Sequence, residues 1–200
     1  MTSIDRPKLS SPRGLIRTSG QPDLDGLNRA HLRLPVVLMG GIRNCPRRSA
    51  SASTTCPARQ VTDHLITAHQ RRRLVHLGGP LGHQVTIERR EGFRQALTAA
   101  GIAPSDEEWT GDFSEESGRD LTRQLLEKGD VPGDVAIVGF DDFGLARVTT
   151  PGITTVRIPA EELARAATER LFDLIGGARP LEAHLTLPLE IVIRGSCGCL

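Results

Sequence analysis

Apolar positions recur along this 200-residue chain in two rhythms, and the alternation between them predicts its elements. Val61, Leu65, Ile66 and His69 fall on one face of a helix read over 59–69. Leu74-Val-His-Leu-Gly-Gly79 then reads as a strand, entered through the solvated triplet Arg71-Arg-Arg73. Phe93, Ala96, Leu97 and Ala100 lie at i, i+3, i+4 and i+7 of a helix over 88–100, which Gly101 stops. Ser114 caps a third helix, and Glu115 and Glu116 sit in its first turn, at the positive end of the helix dipole. Leu121 and Leu125 give that helix a buried face and Gly129 ends it. Asp134-Val-Ala-Ile-Val-Gly-Phe140 is almost continuously apolar, the pattern of a strand covered on both faces. Pro159 opens a helix over 160–175 with Leu163, Ala167, Leu171, Leu174 and Ile175 as its stripe. From Leu185 to Arg194 the period is 2, with Pro188 marking an edge or break.

The amino-terminal part follows neither rhythm. Pro7, Pro12 and Pro22, with Gly14, Gly20 and Gly26 between them, interrupt residues 1–33, which read as loop. Leu34-Pro-Val-Val-Leu-Met-Gly-Gly41 is a short apolar run closed by glycines and reads as a buried strand. Residues 43–59 are biased towards Ser, Ala, Arg and Pro, with no period and little to bury. The expected organisation is a mostly irregular basic segment over 1–58 and an ordered part over 59–200. In the ordered part strands and helices alternate, so the fold class is α/β with a mainly parallel sheet.

Composition agrees with a globular chain: 38% of residues are hydrophobic and 24% charged. No apolar run approaches the roughly 18 residues of a membrane helix, and Met1–Gly14 lacks the apolar stretch of a secretory signal. A cytoplasmic chain with reduced thiols is therefore expected. The net charge of +1 hides an asymmetry: residues 1–60 carry ten Lys and Arg against three Asp, and residues 61–200 carry fifteen against twenty-one acids. The basic arm lacks aromatics to stack on bases, and Arg outnumbers Lys 23 to 2, so composition bias accounts for it better than nucleic-acid contact. Cys45, Cys56, Cys197 and Cys199 are too few for a disulfide scaffold. They fall in two pairs at opposite ends of the chain, with no C-x-x-C, so no metal site and no cofactor is expected.

Ligands of parallel sheets bind beyond the carboxyl ends of strands, and two such ends carry chemistry. Gly78-Gly79-Pro80-Leu81-Gly82-His83 leads towards Arg89, and Gly139-Phe140-Asp141-Asp142 closes the later strand. The first is neither a P-loop nor G-x-G-x-x-G. An Arg fork and a carboxylate facing one cleft suit a polyhydroxyl ligand. The residues alone leave open whether Asp141 or Asp142 binds a ligand or caps the next turn. Adjacent carboxylates seldom stand on opposite sides of a substrate, and no nucleophile–base motif is present, so an enzyme is not expected. His64, His69, His76 and His184 are scattered singly and read as ordinary core or surface histidines.

Several segments in order resemble the effector-binding domain of LacI/GalR-type bacterial transcription regulators. They are Asp134-Val-Ala-Ile-Val-Gly-Phe-Asp-Asp142, Thr150-Pro-Gly-Ile-Thr-Thr-Val-Arg157 and Pro159-Ala-Glu-Glu-Leu-Ala164, with Arg72–Pro80, Glu88–Leu97, Asp112–Gly118 and the ending Arg194-Gly-Ser-Cys-Gly-Cys199. The resemblance covers about 58–200, and weakly 34–41. It implies a periplasmic-binding-protein-like type I fold of two α/β lobes around a cleft. Helices 59–69 and 160–175 would share one lobe, and 73–142 with 185–195 would form the other. It also implies that Arg89 and Asp141 bind a small-molecule effector, a sugar or nucleoside, in a homodimer that reads operator DNA through helix-turn-helix domains.

The chain departs from that pattern in three places. No helix-turn-helix pattern is recognisable, so operator DNA is expected to be reached only through a domain this sequence lacks. Residues 43–59 replace an expected strand with biased sequence. Gly129-Asp130-Val131-Pro132 stands where the family has a strand, an Asn-Asp ligand pair and a helix. The expectation is a truncated regulator that retains its effector-binding part. The alternatives are a free-standing sugar-binding protein of the same fold and a degraded, non-functional fragment.

Overall fold

The computed structural model describes residues 15–18, 35–39, 56–105, 107–129, 135–178 and 185–199. In chain order its elements are β1 (Leu15–Thr18), β2 (Val36–Met39), α1 (Pro57–Thr67), β3 (Leu77–Gly78), α2 (Gln84–Ala99), β4 (Trp109–Thr110), α3 (Glu115–Glu127), β5 (Val138–Phe140), α4 (Leu145–Val148), β6 (Thr154–Arg157), α5 (Ala160–Ile175) and β7 (Glu190–Val192), followed by a 3-10 turn at Gly195–Cys197. Among the described residues, three of the four strand pairings are parallel and only β6–β7 is antiparallel. The class is α/β, as the alternation of periods predicts. The elements fall into two units.

The first unit combines Met1–Gly40 with Ala160–Leu185. β1 and β2 run parallel, Leu15 opposite Val36 and Thr18 opposite Met39, and α5 packs against both. Its stripe is the one read from the sequence, with Ala167 buried and Leu163, Leu171, Leu174 and Ile175 half-buried. β1 corrects the reading of 1–33 as loop. Four residues bounded by Pro12, Gly14 and Gly20 are too few to show a period, and pairing with β2 makes them a strand. The rest of 1–33, and 43–55, lie outside the described residues.

The second unit comprises Gly41–Pro159 and Thr186–Leu200. α1 packs on α2, and Ile66, Ala96 and Leu97 form a buried cluster walled by Leu74, Phe93, Ala100 and Ile102. α1 groups with α2 in this unit, with Ala58, Val61, Leu65 and Ile66 buried. α2 begins four residues earlier than its periodic face shows. Val85, Thr86 and Ile87 are weak helix formers, and the His83 ring caps them by accepting a hydrogen bond from Val85 N at 3.3 Å. α3 starts at the expected cap, with Ser114 Oγ accepting from Ser117 N at 3.0 Å, while Leu121 and Leu125 are only half-buried.

The strands of this unit are shorter than their apolar runs. β3 takes only Leu77–Gly78 of the 74–79 run and pairs with β4. β5 takes Val138–Phe140 and lies at the edge of the sheet β5–β6–β7. The expected cover on both faces of this run is not found: Val135 and Ile137 are exposed and β5 itself half-buried. Full burial falls instead on the central strand, where Thr154, Thr155 and Val156 are closed from solvent.

At Gly92, α2 comes close to the start of α1. A Cβ there would stand 2.9 Å from Arg59 N, 3.2 Å from Ala58 Cβ and 2.7 Å from Cys56 Sγ. Gly118, inside α3, would place a Cβ in open space. Alanine adds roughly 1 kcal/mol of helix propensity at either site, and overpacking costs about 1–3 kcal/mol at the crowded one. Urea denaturation should therefore show Gly118→Ala stabilised by up to about 1 kcal/mol and Gly92→Ala destabilised by a similar amount. Equal signs would mean that α1 and α2 are less tightly apposed.

Candidate functional site

The Gly-rich turn after β3 serves α2, which carries Arg89. A Cβ on Gly79 would overlap the Phe113 ring, 2.0 Å from its Cε1, so only glycine lets that ring lie there. The Phe113 ring meets the His83 ring edge-on at 5.1 Å, and His83 caps α2. In the second turn of the helix, the Arg89 guanidinium lies 3.8 Å above the centre of the Phe140 ring. Its Nη2 is 3.6 Å from Asp141 Oδ1. The structure thus brings together the two residues singled out in the sequence, from α2 and from the end of β5. Phe140, read only as a strand residue, is the surface on which the guanidinium rests.

The pair is only partly satisfied. Arg89 Nε and Asp141 Oδ1 are shielded from solvent and have no hydrogen-bond partner. Buried polar atoms of this kind cost free energy until something bonds them. Burial pushes the Arg89 guanidinium below its usual value and Asp141 draws it back up. It remains a cation, since arginine starts far above neutrality. His76 is held below its ordinary value by burial, then by Arg89 and Arg90, which keeps it neutral beside these charges.

Asp142 has the opposite environment, although both aspartates take positive φ, 83° at Asp141 and 49° at Asp142. Its carboxylate is fully buried and faces three arginines. Arg194 Nη1 is 2.6 Å from Oδ1, and Arg157 Nε and Arg147 Nη2 are 2.9 and 3.2 Å from Oδ2. The Arg194 hydrogen bond, and after it Arg157, outweigh burial and hold the carboxyl at about 2. Arg194 is itself fixed to the central strand: its N–H donates to Thr154 Oγ1 at 2.8 Å, and its Nη1 donates to the Ile153 carbonyl at 2.7 Å. The two neighbours thus stand in different surroundings: Asp142 clasps the sheet, and Asp141 faces Arg89.

A second group of side chains was not legible from spacing. His64 lies in the last turn of α1, His69 follows that helix, and Cys197 and Cys199 belong to the final turn, yet their donor atoms all lie within 4.8 Å of one another. The two imidazoles meet edge-on at 5.0 Å. Burial, and then the nearby His69, hold His64 below its ordinary value and so neutral. The signal in the sequence was H-x4-H at a helix end with C-x-C near the end of the chain, and more than 125 residues of intervening chain hid it.

Known proteins place this architecture. The periplasmic binding protein-like domain matches residues 114–197. The HTH-type transcriptional regulator CelR of Thermobifida fusca is 31% identical over 166 residues, covering 69% of this chain and 48% of that protein. The chain spans about half the length of the curated relatives it matches. A solved complex of CelR with cellobiose superposes with a TM-score of 0.72 at 27% identity, covering 92% of this chain and 65% of that one. A transcriptional regulator of LacI family from Sanguibacter keddieii superposes with a TM-score of 0.60 at 31% identity, over 83% of this chain and 74% of that one. These relatives are regulators and not enzymes. Among the described residues no helix is long and apolar enough to cross a membrane. The identity and the coverage of these matches place the chain in the LacI family of transcriptional regulators, with the periplasmic-binding-protein-like type I fold.

Proposed function

We propose that this chain is the effector-sensing part of a LacI-type transcriptional regulator and that its effector is a sugar or nucleoside held by Arg89 and Asp141. The observation that carries this reading is the pair of buried, unbonded atoms, Arg89 Nε and Asp141 Oδ1, at a strand end. A ligand with adjacent hydroxyls bonds both: one hydroxyl accepts from the guanidinium and donates to the carboxylate. Occupancy is coupled to DNA by a population shift between two states of a homodimer, with operator contact made through helix-turn-helix domains. Such a protein works in the cytoplasm.

The reading is tested by calorimetric titration with cellobiose, ribose and a set of nucleosides. One of these is expected to bind, and Arg89→Ala and Asp141→Ala should each weaken it tenfold or more. That is the loss of one charge-assisted hydrogen bond, of order 1.5–3 kcal/mol. Circular dichroism of both variants should match the parent chain. Equal affinity in all three proteins would remove the site assignment.

A further inference from the structure

We propose that His64, His69, Cys197 and Cys199 form a binding site for a tetrahedral, thiolate-preferring divalent metal ion, zinc by its ligand set. The distances fit such an ion. His64 Nε2 is 3.4 Å from Cys197 Sγ and 3.6 Å from Cys199 Sγ, and His69 Nε2 is 3.2 Å from Cys199 Sγ. Zinc–sulfur and zinc–nitrogen bonds of about 2.3 and 2.0–2.1 Å at tetrahedral angles give nitrogen–sulfur edges of about 3.6 Å. The observed edges lie at or slightly inside that length. Sulfur–hydrogen donors account for the cluster less well, because a neutral imidazole has a single acceptor nitrogen and His64 Nε2 lies close to two sulfurs.

The backbone is shaped to present these donors. Gly198 stands between the cysteines at φ 102°, a left-handed conformation that turns the chain so both thiols face the imidazoles. A Cβ there would press on the His69 ring, 3.3 Å from Nδ1, so glycine also allows the close approach. Cys197 is fully buried, and the other three donors are half-buried, which leaves a route for an ion from the Cys199 side. The set of two thiolates and two imidazoles is that of closed structural zinc sites. Bound there, the ion ties the last turn of the chain to the end of α1, both within the second unit. Its role is structural: four protein donors leave no open position for substrate.

The test uses the full chain, stripped with chelator, kept reduced and titrated with Co2+ as a spectroscopic probe. One Co2+ per chain should give the visible bands of a tetrahedral site and a thiolate charge-transfer band, and Zn2+ should bleach both. Cys199→Ser and His69→Gln, which leave buried Cys197 in place, should each weaken binding by more than about tenfold, the least that losing even a supporting contact costs such sites. His184→Gln should bind as the parent does. Zn2+ should raise the melting temperature of the parent and not that of Cys199→Ser. Absence of the thiolate band, or its survival in both ligand variants, overturns the proposal. So does mass spectrometry that finds Cys197 and Cys199 joined as a disulfide after Zn2+ loading.

Discussion

Replacing Asp142 by alanine is expected to destabilise the second unit by about 3–5 kcal/mol, the cost of breaking a buried ion pair from one side. The carboxylate is closed from solvent and is the common partner of Arg147, Arg157 and Arg194. Without it the three cations repel, and they are not equally free to leave. The side chains of Arg147 and Arg157 are 59% and 39% exposed and can turn to water, whereas Arg194 is only 19% exposed. Its backbone and guanidinium are also bonded to Thr154 and Ile153, so the cost concentrates there. Asp142→Asn separates charge from shape. Asparagine tolerates the positive φ at this position, so its loss of stability reports the charge.

The acid dependence has a defined sign. The folded-state carboxyl sits at about 2, below its unfolded value near 3.9. Its contribution is therefore complete above the unfolded value and is lost as pH falls towards 2. Asp112, held at about 2 by the Ser114 and Ser117 hydroxyls, loses its contribution over the same range. The difference between the parent chain and Asp142→Asn isolates the clasp. It should be largest near neutrality and shrink below about pH 4 in urea melts. A pH-independent difference, or a loss under 1 kcal/mol for Asp142→Ala, would mean that the arginines find other partners.

These outcomes also mark what the sequence could and could not convey. Helical periodicity located α1, α2, α3 and α5, because each carries an apolar stripe that repeats within a single element. The Ser114 cap was legible for the same local reason. β1 was not, since four residues carry no period and its strand character comes from a partner about twenty residues away. The grouping of α1 with α2 depends on close approach at Gly92, which a composition pattern does not encode. Asp141 and Asp142 are chemically identical in the sequence. What separates them is the arginines at 147, 157 and 194, which reach the Asp142 carboxylate from three separate segments of the chain. The histidine–cysteine cluster is the extreme case, assembled from two ends of the ordered part with no short-range signal beyond H-x4-H and C-x-C.

Leu97→Ala is expected to cost about 3–4 kcal/mol, in the range for a leucine truncated where the surroundings cannot collapse. Leu97 is 1% exposed and packs with Ile66 and Ala96, inside a wall of Leu74, Phe93, Ala100 and Ile102. Alanine at 96 cannot extend into the vacated space, and Ile66 is held by its own helix. For a domain of this size such a loss should lower the melting temperature by roughly 10 °C. Leu97→Met, which keeps the volume, should cost under about 1.5 kcal/mol. The consequence reaches the candidate effector site, because Arg89 lies two turns earlier on the same helix. Well below its melting temperature, Leu97→Ala should bind effector with the affinity of the parent chain, since no contact to ligand is removed. As it is warmed, binding should vanish some 10 °C before it does in the parent, in step with the loss of helical circular dichroism. Arg89→Ala should show the reverse, weak binding at every temperature with an almost unchanged melting curve. If Leu97→Ala melts as the parent does, the packing of α1 on α2 does not hold this unit together.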